Sequence, residues 1–170
     1  MDPSQHAQDR NFLEKMAAYI PGFHGYMQRE YRRESDQMLR TFMADRLQRS
    51  KTGIDGYMQT LIGRGQLDGL DQVERIRTKL DTLIAGLRGA MRGYSAAFEY
   101  VKVHESTLEQ VYEHDLRLVR DVEDLATRIE ELPASDAPPA GVAAEFTRAV
   151  DEVQQLFDER GRLLEGMGEK

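Results

Sequence analysis

Apolar residues recur at helical spacing along most of the chain, and this periodicity restricts the fold more than any other feature. Between about residues 70 and 97 the apolar side chains fall on one face at about 100° per residue. Similar repeats cover about residues 4–19, 27–62, 106–132 and 142–165. The pattern predicts an all-α fold, an elongated up-and-down helical bundle of four to five helices with coiled-coil-like packing. The clearest repeat is Val73, Ile76, Leu80, Leu83, Ile84, Leu87 and Met91.

A Pro- and Ala-rich stretch at residues 133–141 is the main interruption of the helical pattern. A chain of 170 residues has the length of a single domain. We therefore predict a helical bundle core over residues 1–132, a linker over 133–141, and a C-terminal amphipathic helix over 142–170 that packs on the same bundle. Residues 98–104, which are β-branched and aromatic, are predicted to form a short extended connector.

A compact turn, called here the elbow, is predicted at residues 21–26. Pro21 ends the first helix because proline cannot continue the hydrogen-bond ladder, and Gly22 and Gly25 tolerate a tight reversal. The aromatic residues Phe23 and Tyr26 can anchor the turn. We expect the elbow to hold the first helix against the second.

The helix after the elbow carries an unusual run of charges. Arg29 and Arg33 form a like-charge pair four residues apart, which mildly destabilises an isolated helix. The run therefore indicates charge pairs with another helix, the acidic fourth or fifth, although a solvated mixed-charge face would have the same composition. Together with the elbow aromatics, this run is a candidate interaction surface: Phe23, Tyr26, Arg29, Arg32, Arg33 and Asp36.

Small residues form a second stripe on the third helix. Gly86, Ala90, Gly93 and Ala97 lie within a narrow arc, and each interior glycine costs about 1 kcal/mol relative to alanine. The stripe predicts either a close crossing with another helix or a hinge. Gly53, by contrast, is interpreted as a weak point that kinks a long second helix.

The sequence contains no recognisable catalytic or metal-binding motif. Cysteine is absent, which excludes disulfides and thiolate sites. A di-metal bundle needs Glu-x-x-His, but the residues three positions before His104 and His114 are both valine. The glycine-rich stretches lack the Lys-Ser/Thr of a phosphate loop. We therefore expect no catalytic, cofactor-binding or metal-binding residues, no cofactor, and no enzymatic activity.

The charge of the chain is unevenly distributed. The net charge is −7, with +3 on residues 1–104 and −10 on residues 105–170. An acidic C-terminal part argues against nucleic-acid binding, which needs a dense cationic surface. The N-terminal residues have no apolar signal core, and no apolar stretch reaches about 18 residues. These features favour a cytoplasmic location.

Two stretches resemble an uncharacterised family of bacterial helical proteins. Residues 20–40 resemble its Pro-Gly-aromatic-x-Gly-Tyr turn followed by an Arg/Glu-rich helix, and residues 101–115 are similar to another part of these proteins. The resemblance covers about a third of the chain and implies no activity.

The function that the sequence favours is a non-enzymatic helical scaffold or adaptor that acts through self-association or protein–protein contacts. A protein partner or a second copy of the chain, forming a homo-oligomer, is the expected partner. One alternative is a peripheral membrane-associated protein whose first helix lies on the bilayer. The other is a helical-bundle enzyme or metal protein.

Overall fold

The computed structural model of the chain describes residues 3–26, 28–89 and 105–166, and within these ranges it consists of helices and turns without a β-strand. The predicted all-α helical bundle is therefore confirmed. A short 3₁₀ turn, Leu132–Ala134, precedes the last helix. The α-helices are α1 (Pro3–Tyr19), α2 (Arg29–Gly63), α3 (Leu70–Gly89), α4 (Glu105–Glu130) and α5 (Pro139–Gly166).

Helices α2 to α5 enclose the core, and each packs against two of the others. Helix α2 packs against α3 and α4, and α5 packs against the same two helices. Asp45 pairs with Arg88 and Lys51 pairs with Asp81, so α2 and α3 are antiparallel. Helix α1 packs on the outside of α4. The large side chains at the centre of the core include Met43, Leu47, Ile54, Ile76 and Leu80.

Helices α2 and α4 are parallel neighbours, although they are not consecutive in the chain. Arg46 binds Glu123, and Gly53 lies against Ile129, so both helices advance in the same direction. At about 1.5 Å per residue, the 35 residues of α2 extend about 52 Å, the full length of the bundle. The long α2 therefore contacts α4 near the elbow and also at the opposite end.

Several predicted helix boundaries differ from the observed ones. The second helix continues without interruption through Gly53, as one long helix. The last helix begins at Pro139, inside the predicted linker, because proline is well suited to the first turn of a helix. The extended connector predicted at residues 98–104 lies outside the described residues.

A close helix crossing lies at Gly53. A Cβ atom at Gly53 would overlap the carbonyl oxygen of Ile129, so the α2 and α4 backbones approach too closely for a side chain. At Gly86, the one member of the predicted stripe that the structure describes, a Cβ atom would have no atom of the described residues within 4 Å. The predicted close helix crossing is therefore wrong at Gly86, which faces away from the bundle. The other members of the stripe lie outside the described residues.

We expect Gly53→Ala to lower the melting temperature strongly. The added methyl group must displace the backbone of α4, and overpacking of this kind typically costs about 1–3 kcal/mol or more. The matched control is Gly86→Ala, which adds the same methyl group to exposed helix and is expected to be neutral or stabilising by up to about 1 kcal/mol. Thermal unfolding followed by circular dichroism measures both. Equal melting temperatures would contradict the close crossing.

Candidate functional site

The elbow has the backbone conformation that its glycines predict. Gly22 and Gly25 have φ values of 83° and 75°, which residues other than glycine adopt only with strain. Phe23 and Tyr26 point inward and are buried. The side chain of Leu13 packs against Gly25, so the turn folds back on α1. The elbow is therefore part of the core.

Stacked aromatic rings join the elbow and α1 to α4. The rings of Phe12 and Tyr112 are stacked with their centroids 4.2 Å apart, and Phe23 meets Phe12 edge-on at 6.1 Å. The Tyr112 hydroxyl accepts a hydrogen bond of 2.9 Å from the backbone N–H of Tyr26. The predicted attachment of the first helix to the second is thus corrected in part. The elbow holds α1 mainly against α4, while the end of α1 touches α2 through Tyr19 and Phe42.

Beneath the elbow, five polar side chains form what we call the buried ion cluster: Tyr26, Asp36, Arg40, Asp115 and Arg160. All are nearly inaccessible to solvent, and Tyr26 and Asp115 are completely so. They come from the elbow, α2, α4 and α5. Buried charges are expensive to desolvate unless they are paired and hydrogen-bonded. The geometry of the cluster meets that requirement.

Arg160 is the centre of the cluster. Its Nε donates to Asp115 Oδ1 at 2.7 Å, and its Nη2 donates to the Tyr26 hydroxyl at 3.1 Å. Its Nη1 lies 2.7 Å from Asp36 Oδ1, an ion pair without hydrogen-bond alignment. The Tyr26 hydroxyl in turn donates to Asp115 Oδ2 at 2.6 Å. One guanidinium therefore contacts two helices and the elbow at once.

Arg40 extends the cluster to α3. Its Nε donates to Asp36 Oδ2 at 2.9 Å, and its Nη1 donates to the backbone carbonyl oxygen of Leu87 at 3.1 Å. Two arginines and two aspartates thus balance in charge. The neighbouring Arg32 and Ser35 donate to the elbow carbonyls of Tyr26 and Gly25. Every helix from α2 to α5 is therefore connected to the cluster.

The electrostatics of the cluster favour a neutral tyrosine and a charged arginine. Burial, reinforced by the carboxylate of Asp115, raises the pKa of Tyr26 well above its ordinary value. Burial alone would lower the pKa of Arg160, but Asp115 and Asp36 raise it by more, so it lies well above its ordinary range. Tyr26 therefore remains a hydrogen-bond donor and Arg160 remains a cation.

The predicted interaction surface is largely internal. Phe23, Tyr26, Arg32 and Asp36 are buried, so a partner cannot contact them in this structure. Arg33 is exposed. The side chain of Arg29 lies outside the described part of the chain.

The expectation of cross-helix charge pairs was met at Asp36, which pairs with Arg160 of α5. Asp115 and Arg160 themselves were missed. Both interrupt an apolar stripe, since Asp115 is four residues from Val111 and Val119, and Arg160 is four residues from Leu164. A charge within a buried stripe was the available signal.

A groove on the outer side of α2, beside the elbow, is the second candidate site. We call it the α2 groove. It has a volume of about 510 Å³, and its lining includes Ile20, Glu34, Met38, Thr41, Phe42 and Arg49. Ile20 is buried, Met38 and Phe42 are partly exposed, and the other three are exposed. The groove therefore has an apolar floor and a polar rim.

The described residues contain no group of three or more side chains that could hold a metal ion, and no helix among them is long and apolar enough to cross a bilayer. His114 on α4 is mostly buried, and its ring nitrogens have no hydrogen-bond partner in the part of the chain that the structure describes, although Nε2 lies 3.8 Å from a Glu159 oxygen.

No protein family, no curated protein and no solved structure matches this chain. The resemblance of residues 20–40 and 101–115 to uncharacterised bacterial helical proteins therefore stays a prediction.

We expect Arg160→Met to destabilise the protein by about 3–5 kcal/mol, because it leaves Asp36 and Asp115 buried without their shared cation. Arg162→Met, on the exposed side of the same helix, is the control and should change stability by less than about 0.5 kcal/mol. Urea unfolding measures both values. A small effect of Arg160→Met would mean that the two aspartates are solvated or neutral.

Replacing Tyr26 with Phe removes only the buried hydroxyl, and we expect a loss of about 1–3 kcal/mol. The loss should depend on pH. The unfolded chain ionises this tyrosine above its ordinary pKa, while the folded chain keeps it protonated. The stabilisation by the hydroxyl is thus complete below the ordinary pKa and declines as the pH rises above it.

Urea unfolding of wild type and Tyr26→Phe at neutral and strongly alkaline pH measures this difference. Tyr31→Phe, at a partly exposed site on α2, is the control. A difference between wild type and Tyr26→Phe that grows with pH would contradict the raised pKa.

Proposed function

We propose that the chain is a non-enzymatic helical scaffold or adaptor that acts through protein–protein contacts at the α2 groove. The observation that carries the proposal is the apolar floor of this groove. Met38 and Phe42 are partly exposed, one helical turn apart, on the same side of α2. Such spacing suits an amphipathic helix that inserts its apolar face between them.

The rim of the groove supports recognition of a protein. Glu34, Gln37, Thr41 and Arg49 surround the apolar floor with both charges and with neutral hydrogen-bonding groups. An apolar centre inside a polar rim is the usual composition of a protein–protein interface. The polar rim gives specificity, and the apolar floor supplies most of the binding free energy.

The position of the groove beside the elbow also supports the proposal. Ile20, which lies between α1 and the elbow, forms one wall, and the side chain of Met38 lies beside Gly22. Asp36 and Arg40, on the same stretch of α2, are held inside the bundle by the buried ion cluster. A docking surface whose walls are held in place loses little conformational entropy on binding.

A site-specific cross-link tests the proposal, since the chain has no natural cysteine. We expect Gln37→Cys, labelled with a photoreactive maleimide in an extract of the producing cells, to yield a discrete adduct that mass spectrometry identifies. The identified protein is either a different protein or a second copy of the chain. It should bind purified wild type at least about tenfold more tightly than it binds Thr41→Arg, whose long cationic side chain obstructs the groove.

The matched control for labelling is Gln110→Cys on the exposed side of α4. The absence of an adduct at Gln37, the same adduct at both positions, or equal binding to wild type and Thr41→Arg would each contradict docking at the α2 groove.

A further inference from the structure

The charges on the rim of the α2 groove have opposite signs at its two ends. Glu34 lies at the elbow end and Arg49 at the other end, on either side of Thr41 and Phe42. The two charges are 15 residues apart, about 22 Å along the helix. The midpoint of this interval falls between Thr41, on the polar rim, and Phe42, on the apolar floor.

Glu34 and Arg49 are also available for an intermolecular contact. Within the described residues neither side chain forms a salt bridge or a side-chain hydrogen bond, although Arg49 is close enough to Glu130 of α4 to contribute to the lowered pKa of that carboxyl. Asp45, which lines the same groove, is already paired with Arg88. Both Glu34 and Arg49 are exposed. Opposite charges of this kind, one at each end of an apolar strip, would complement a strip with the reverse order.

We infer that the α2 groove binds the α2 groove of a second copy of this chain, with the two α2 helices antiparallel. This inference rests on the proposed function and names its partner. In the antiparallel register centred between Thr41 and Phe42, Glu34 of each copy lies opposite Arg49 of the other. The twofold axis makes both ion pairs at once, which is the property of an isologous dimer. In the same register Phe42 of each copy lies opposite Thr41 of the other, and Met38 lies opposite Asp45, whose charge is already paired with Arg88.

Charge reversal with rescue tests the pairing directly. Glu34→Arg places like charges opposite each other at two symmetric positions, and Arg49→Glu does the same with the opposite sign. We expect each single variant to raise the dimer dissociation constant by about tenfold or more. The double variant restores both pairs in reversed order and should dimerise like wild type. Arg120→Glu, on the exposed side of α4, is the control for net charge.

Sedimentation velocity over a range of protein concentrations and two salt concentrations measures these constants. High salt should weaken the wild-type dimer, because exposed ion pairs are screened. Circular dichroism confirms that each variant is folded, since all of these positions are exposed. A wild type that stays monomeric, single variants that dimerise normally, or a double variant without recovery would each overturn the inference.

A disulfide provides a second measurement that does not depend on charge. Thr41→Cys, at the centre of the register, should form a covalent dimer on mild oxidation. Gln48→Cys, exposed on the same helix but away from the centre, should form little. Two results would overturn the inference if the wild type remained monomeric. A cross-link from the groove to a different protein would leave the proposed function intact. A cross-link from the groove to residues 90–104 of its own chain would contradict both the inference and the proposed function.

Discussion

The packing of the helices depends on the ion pairs that one arginine forms with two buried aspartates. Asp36 and Asp115 are carried by different helices, and Arg160 reaches both from a third. Desolvating an isolated carboxylate costs several kcal/mol even after the protein relaxes, so Asp115 is not tolerated inside the bundle without that guanidinium, whereas Asp36 is also paired with Arg40. Any arrangement of the helices that separates these residues leaves at least one buried charge without a partner. The observed packing of the helices is therefore more stable than these alternatives.

The same requirement determines the position of the elbow. The Tyr26 hydroxyl completes the hydrogen bonding of Asp115, and the backbone of Tyr26 is bound by Tyr112 and Arg32. Tyr26 remains protonated at this site, and moving it away would deprive the buried carboxylate of Asp115 of this hydrogen-bond donor. Helix α1, which packs on α4 beside the elbow, takes its position from these contacts. The position of Ile20, which lies between α1 and the elbow and forms a wall of the α2 groove, is thus an indirect consequence of the ion cluster.

Helical periodicity was sufficient to predict the helices, and proline and glycine were sufficient to predict the elbow, because both effects are local. The partners of the buried charges could not be predicted in the same way. Asp115 and Arg160 stand in apolar stripes of separate helices, and only the packing of α4 against α5 brings them together. The close backbone contact at Gly53 was missed for a similar reason. Gly53 resembles a helix-weakening residue until Ile129, 76 residues further along the chain, is placed beside it.

The distance along the chain between the members of the ion cluster has a consequence for the order of assembly. Tyr26 bonds to Asp115 across 89 residues and to Arg160 across 134. Contacts of such separation form late, because the entropy of closing the intervening loops must be lost first. During synthesis, the first helix and the elbow leave the ribosome long before Arg160 does. The elbow therefore stays incompletely packed until a residue 134 positions later has been added. The cluster makes the final packing of the elbow depend on synthesis of the chain through Arg160.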